Sequence, residues 1–251
     1  MPAPLPLTVI IPTLNEASNI AACVASAAFA AEILVADGGS TDDTVALARA
    51  AGATVLEHTG PTIAAQRNAA IAAARHRWIF ALDADERITP ALAAELEAVL
   101  AAPAHAAYRV RRKNFYLGVE QTGVAWASDW VMRLFERERR FIQRRVHEGL
   151  EHVADPGQLT EALLHHPYRS LAHHIGKLQQ YAEWGAADLW DRGRRATWSD
   201  LALRPAGRFI KAYFLGQAVM DGRRGLVQAT LEAYGVFLKY AHLWAREQHE
   251  D

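Results

Sequence analysis

A single cysteine, Cys23, serves all 251 residues of the chain. A disulfide framework and any multi-cysteine metal site are thereby excluded, and the composition fits a reducing compartment. Excess charge is equally scarce: 27 Lys and Arg stand against 28 Asp and Glu, a formal net charge of −1. Without a field of one sign, nothing argues for nucleic acid as a partner. Long uncharged apolar runs are missing too. The stretch from Ile20 to Ala36 is interrupted by Glu32 and reads as a helix followed by a strand, so no transmembrane span is expected. The opening residues, Met1 to Pro6, lack the basic and apolar regions of a signal peptide. These absences point to a cytoplasmic protein, soluble or held peripherally at the inner face of the cytoplasmic membrane. No G-x-G-x-x-G follows the first apolar run, which disfavours a dinucleotide-binding dehydrogenase.

What is present is a core-forming composition, 51% hydrophobic, enough for one domain with an appendage. The first third alternates β-rich apolar runs with Ala-rich helical runs. Strands are expected at Leu7–Ile11, Glu32–Ala36, Thr54–Glu57 and Trp78–Leu82, with helices at about 17–30, after Ser40 or Thr41, and at 63–75. Thr89-Pro90 opens a further helix, with Thr as cap and Pro in the first turn. Such alternation implies right-handed crossovers and a parallel sheet covered by helices. Ligands of such sheets bind beyond the carboxyl ends of the strands.

Three polar turns fall on that edge: Pro12-Thr13-Leu14-Asn15-Glu16, Asp37-Gly38-Gly39-Ser40 and Asp83-Ala84-Asp85. If the last strand carries through the acidic pair, alternation puts Asp83 and Asp85 on one face. Both then reach a hard cation such as Mg²⁺ or Mn²⁺ that keeps phosphate oxygens as co-ligands. Acidic pairs also cap helices, so the pair by itself leaves the bland alternative open.

The middle of the chain alternates at Tyr108–Arg112 and Val131–Phe135, which read as strands around a loop-rich stretch from Gly118 to Trp130. Arg111, Arg112 and Lys113 suit either an anionic acceptor or a solvated strand face. Trp126 and Trp130 suit either a sugar ring or the core. The pairs His165-His166 and His173-His174 read as helix-terminal or surface residues rather than a second metal site. From about Ser170 the chain reads as helical. In Leu226–Arg246 the polar residues Gln228, Glu232, Lys239, His242 and Arg246 form one stripe, leaving a wide apolar face with Tyr234, Phe237, Leu238 and Trp244. That face suits an anionic membrane surface or packing within the protein.

Ile10–Glu16, Val35–Thr44, Gln66-Arg67-Asn68 and Leu82–Asp85 occur in the order seen in family 2 inverting glycosyltransferases of the GT-A fold, which this chain resembles. Arg133-Leu134-Phe135, Val146-His147-Glu148, His165–Tyr168 and the Gly225-Leu226 helix look more loosely like the bacterial lipopolysaccharide-core β-glucosyltransferases. The resemblance implies an α/β fold: a Rossmann-like nucleotide-binding sheet, mixed through added antiparallel strands, over residues 1–168, and a helical appendage over 169–251. It implies a nucleotide-sugar donor, a UDP-sugar by family habit, a divalent metal, Mn²⁺ or Mg²⁺, and a lipid-linked saccharide acceptor.

In this family Pro12, Thr13 and Glu16 contact the nucleoside, and Asp37 accepts from the base. Arg67 and Asn68 lie near ribose and phosphates, and Asn15, Gly38 and Ala84 belong to the same donor-binding turns. Asp83 faces the ribose, directly or through the metal, and Asp85 holds the metal. For the base that deprotonates the acceptor hydroxyl, Glu148 is favoured and Asp129 is the rival. His147 is a further metal ligand or a packing residue. A polyprenyl-phosphate glycosyltransferase or a non-catalytic nucleotide-sugar-binding protein shares the donor half and remains the alternative.

Overall fold

The computed structural model describes residues 3–121, 129–142 and 149–248. Two compact units emerge, one from Met1–Lys113 with Trp130–His165 and the other from Asn114–Asp129 with His166–Asp251.

Four parallel strands form the first half of the sheet: β1 (Leu5–Thr13), β2 (Ala30–Asp37), β3 (Thr54–Leu56) and β4 (Trp78–Ala81). Helices α1 (Ile20–Ser26), α2 (Thr44–Ala50) and α3 (Ile63–Ala73) connect them. β1 shows why its sequence is an unbroken apolar run. Leu7, Val9 and Ile11 pack with Ile20, Cys23 and Val24 of α1, whereas Ile10 packs on the opposite face with Ala70 and Ile71 of α3. Both faces are covered, so neither register of the alternation needs polar residues. Helix α4 (Pro90–Ala101) starts as expected: the Thr89 hydroxyl accepts from the Leu92 N–H at 3.1 Å, and Pro90 occupies the first turn.

The strand order is β3-β2-β1-β4, so the chain winds outward to one side of β1 and then returns to the other. This reversal leaves a crevice beyond the carboxyl ends of β1 and β4, where open α/β sheets take their ligands. Beyond β4 the pairing becomes antiparallel. β8 (Trp130–Glu136) lies on β4, then come β6 (Ala107–Tyr116) and β9 (Gly157–Tyr168), with the two-residue β5 (Glu86–Arg87) at the edge. β7 (Val119–Glu120) extends β6. The mixed α/β sheet is the GT-A arrangement that the resemblance implied. The boundary between the units falls inside β6 and β9, and residues 114–129 join the helical unit.

β4 ends one residue before the expected boundary, and the third polar turn follows it as expected. β4 stops at Ala81, and Asp83–Glu86 forms a tight turn in which the Glu86 N–H donates to the Asp83 carbonyl at 2.9 Å. Strand alternation therefore does not set the faces of Asp83 and Asp85, which lie in the turn and meet different partners.

The second unit contains α5 (Leu171–Asp191), α6 (Trp198–Ile210) and α7 (Gly222–Glu247), with one turn of π-helix at Lys211–Leu215 and a 3₁₀ turn at Ala218–Asp221 between the last two. Ser170 caps α5, and Thr197 with Asp200 forms a reciprocal capping box on α6. α7 packs against α5 and α6, burying Tyr240 and Leu243. Much of its polar stripe points inward: Gln228 is buried against Gln121, and Glu232 pairs with Arg208 at 2.8 Å. Among the described residues no helix is long and apolar enough to cross a membrane.

Candidate active site

The three polar turns meet at the β1–β4 crevice, and hydrogen bonds lock the first two together. Asn15 adopts a left-handed conformation, φ 56°, which Asn tolerates better than most residues. Its N–H donates to Ser40 Oγ at 2.8 Å, and its Oδ1 accepts from the Thr41 N–H at 2.8 Å. The Glu16 N–H donates to Thr44 Oγ1 at 2.8 Å, and the Glu16 carboxylate accepts from Asn19 Nδ2 at 2.7 Å. Asp37 closes its own loop. Its Oδ2 accepts from the Gly39 and Ser40 N–H groups at 2.8 and 2.9 Å, and Ser40 Oγ donates to its Oδ1 at 2.5 Å.

Gly38 is required by space. Its N–H donates to the Thr13 carbonyl, and a Cβ there would lie 2.2 Å from Gln66 Nε2. Pro12 pairs with Ala36 at the last rungs of β1. The Thr13 hydroxyl is buried with no hydrogen-bond partner among the described residues. Such an orphan at the rim of a crevice marks a place where a ligand completes the bonding.

Asp83 sits in a clamp. Arg67 Nη2 donates to its Oδ1 at 2.5 Å, and Arg133 Nη2 donates to its Oδ2. Arg133 also reaches Glu86 Oε1 at 2.5 Å. Glu86 is fully buried; its Oε2 accepts from the Asp83 N–H at 3.0 Å, and Arg112 Nη1 lies 3.5 Å from Oε1. Desolvation alone would push the Asp83 carboxyl up, but the Arg133 and Arg67 guanidiniums outweigh it and hold the group well below the usual carboxylate range. Burial likewise opposes charge on Arg133, and Asp83 and Glu86 overcome it. Asp83 is thus an ionised, oriented acceptor with one lone pair left on each oxygen. Both of its oxygens are already bound to guanidinium, a poor setting for direct metal ligation.

Asp85 meets a different partner. In the β5–β9 ladder Glu86 stands opposite His165, which brings His165 Nε2 to 3.7 Å from Asp85 Oδ1. A carboxylate oxygen and an imidazole nitrogen at this spacing fit two ligand positions of one divalent cation of the Mn²⁺ type. Among the described residues no group of three or more His, Cys, Asp or Glu gathers as a cation site, so the fit leaves most positions to phosphate oxygens and water, as Mg²⁺ sites commonly do. Arg87 braces the turn by donating to the Ala84 carbonyl at 2.9 Å. Beneath it, the fully buried Cys23 thiol donates to the Asp83 carbonyl at 3.4 Å, and burial pushes its pKa up.

Other expected residues are placed differently. Asn68 is occupied with backbone: its Nδ2 donates to the Phe141 carbonyl at 2.9 Å, and its Oδ1 accepts from the Phe141 N–H at 2.8 Å. This bidentate bond anchors the segment entering at Phe141, over whose ring Arg67 lies at 4.7 Å. Asp129 belongs to the second unit, where Asn114 Nδ2 donates to its Oδ2 at 3.0 Å. Glu148, His147 and Trp126 lie outside the described residues. Arg112 is directed at Glu86 rather than forming a solvated strand face. His165, read as a surface residue, is half-buried beside Asp85.

Sequence reasoning assigned no role to Glu86 or to the Arg133 side chain. The signal was available in Val131-Met132-Arg133-Leu134-Phe135, where a charge amid apolar strand residues demands a buried counter-charge. A hollow of about 480 Å³, lined by Arg77, Glu136, Glu138, Arg139 and Glu151, opens at the other end of β4 and is separate from the three turns.

Residues 8–155 match the model of the family described as glycosyl transferase family 2. The chain belongs to this family. As a family 2 glycosyltransferase it is 30% identical to the lipopolysaccharide core biosynthesis glycosyltransferase LpsC of Rhizobium meliloti (strain 1021), over 96% of this chain and 93% of the relative. It is 26% identical to an uncharacterized glycosyltransferase of Rickettsia felis, over 94% of this chain and 89% of the relative. Among solved structures, the glucosyl-3-phosphoglycerate synthase of Mycobacterium tuberculosis in complex with Mn²⁺, UDP and glucosyl-3-phosphoglycerate shares 21% identity and a TM-score of 0.42, covering 53% of this chain and 57% of the synthase.

Proposed function

We propose that this glycosyltransferase moves a hexose from a UDP-sugar, with inversion at the anomeric carbon, to a lipid-linked saccharide acceptor of the lipopolysaccharide-core kind. The observation that carries the donor half is the division of labour in the Asp83-Ala84-Asp85 turn. Asp83, clamped by Arg67 and Arg133, is an oriented acceptor that suits ribose hydroxyls, and Asp85 beside His165 suits the diphosphate side, which supports this reading. Thr13, with its buried unsatisfied hydroxyl, and Asp37, with its ordered loop, complete the nucleoside side. The similarity to LpsC along most of both chains supports the acceptor class.

In the transfer, an acceptor hydroxyl attacks the anomeric carbon from the face opposite the diphosphate. Its proton passes to a carboxylate, for which Glu148 is first choice and Asp129 second. The bond between the anomeric carbon and the diphosphate oxygen breaks, and the nucleoside diphosphate leaves. Asp85 and His165 would hold Mn²⁺ or Mg²⁺, which would supply neutralisation of charge on that leaving group.

Calorimetric titration of UDP-sugar with and without Mn²⁺ tests the donor site. Asp85→Ala and His165→Ala are each expected to weaken Mn²⁺-dependent donor binding by more than about tenfold. An unchanged Mn²⁺ dependence in both variants would reject the assignment. Glu148→Gln is expected to abolish transfer while donor still binds; normal turnover moves the role to Asp129.

A further inference from the structure

Helix α6 is strongly amphipathic, yet it turns its apolar side outward. Leu203, Ala206, Ile210 and Phe214 follow at spacings of three and four and stand on one face through the end of α6 into the π-turn. Leu203 is 70% exposed, Ile210 53% and Phe214 57%. Leu215 and Met220 continue the surface through the following turns at 74% and 75%. A soluble helix ordinarily buries this stripe. Here the charged side of α6 is the one engaged, with Arg204 paired to the buried Asp200 at 2.5 Å and Arg208 to Glu232 on α7.

The rim of the apolar surface is basic. Lys211, Arg223 and Arg224 are exposed and have no acidic partner among the described residues. Of the nearby acids, Asp200 lies buried in its capping box and Glu232 is paired, while Asp221 and Glu120 line a hollow together with Arg224. A contiguous apolar stripe edged by unpaired cations is complementary to one kind of surface, an acyl-chain boundary beneath anionic headgroups. A protein partner without acidic side chains would match the apolar stripe but leave the cations without counter-charge.

We infer that residues 198–224 form an in-plane membrane-docking surface for anionic bilayers, with Leu203, Ile210 and Phe214 entering the acyl boundary and Lys211, Arg223 and Arg224 meeting the headgroups. This gives the proposed lipid-linked acceptor a place of encounter but stands on the helical unit alone.

Co-sedimentation with phosphatidylcholine vesicles, with and without phosphatidylglycerol, tests it. The wild-type chain is expected to pellet with the anionic vesicles. Ile210→Glu with Phe214→Glu should abolish pelleting, and both positions are exposed enough that circular dichroism and the melting midpoint stay unchanged. Replacing Lys211, Arg223 and Arg224 together by Gln should weaken binding roughly a hundredfold, about fivefold per cation. A wild-type chain that stays in the supernatant overturns the inference, as does equal binding to neutral vesicles that the Gln variant retains. Self-association in sedimentation equilibrium, lost in the Ile210/Phe214 variant without any vesicle binding, would reassign the surface to a second copy of the chain. UDP-sugar titration in the same variants separates the two readings: donor binding persists if only the docking surface fails, and vesicle binding persists if only the donor site does.

Discussion

The unit that carries the three turns hides charge, with Glu86, Arg133, Arg67 and Asp37 all buried, whereas the helical unit displays Leu203, Ile210, Phe214 and Met220 to solvent. Each exception costs free energy in its own way. Buried charges demand partners in exact number, and exposed apolar side chains forgo transfer out of water. The buried exception finds most of its partners within its own unit, since guanidiniums and carboxylates close on one another around Asp83, with Arg133 Nε left without a hydrogen bond among the described residues. The exposed exception has nothing among the described residues to satisfy it. The polar turns are largely ordered by their own hydrogen bonds, with the Thr13 hydroxyl left over for a ligand, while a surface that meets an extended partner is finished by it.

Removing one member of the clamp tests this contrast most severely. Arg133→Met leaves Glu86 and part of Asp83 buried without their cation, and a loss of about 3–5 kcal/mol is expected in urea unfolding. A loss below about 1 kcal/mol, the range of exposed ion pairs, would show that the clamp is not closed in solution. The helical unit offers a gentler test through His174. This buried histidine lies 3.1 Å from the Tyr116 hydroxyl, stacks on Tyr168 at 3.7 Å, and is pushed down to about pKa 4 by burial, with help from His173 and Lys177. Its folded pKa lies below the unfolded value, so the unfolded chain takes up a proton first as the pH falls. The neutral histidine's contribution, about 3 kcal/mol for a shift of this size, is present above the unfolded pKa near 6.5 and is lost between there and 4. Urea midpoints across that window should fall in the wild type and stay flatter in His174→Asn. The smallest effect is expected at Asn68. Asn68→Ala forfeits two bonds to the Phe141 backbone, about 1–2 kcal/mol of stability. If donor binding falls far more than stability does, Asn68 also touches the ribose or phosphates.

The parallel half of the sheet was legible because its signals are local. Apolar runs mark β1, β2 and β4, Thr89-Pro90 marks the start of α4, and the polar turns follow each strand directly. Topology then put those turns on one edge without any knowledge of side-chain contacts. What escaped depends on distant pairing. β5 has two residues and exists only because β9 lies beside it, so the placement of His165 next to Asp85 could not be read from spacing. The shared face assumed for Asp83 and Asp85 rested on strand alternation, and the strand ended before the acids began. Asn68 matched its motif by position, yet its amide is held by a backbone 73 residues away. In the helical region the apolar stripe of α7 was visible, but the more exposed stripe of α6 was not singled out, because Pro205 and Gly207 blur its pattern.

Cys23 acquires a use from its position. The chain's lone sulfhydryl is roofed by the same loop whose carboxylates are proposed to handle the donor. Reagents from solvent meet it only in molecules in which the packing of α1 and this loop has opened, so its alkylation rate reports those openings. A nucleotide sugar seated on the roof slows that rate, and the enzyme carries its own occupancy gauge without any added label.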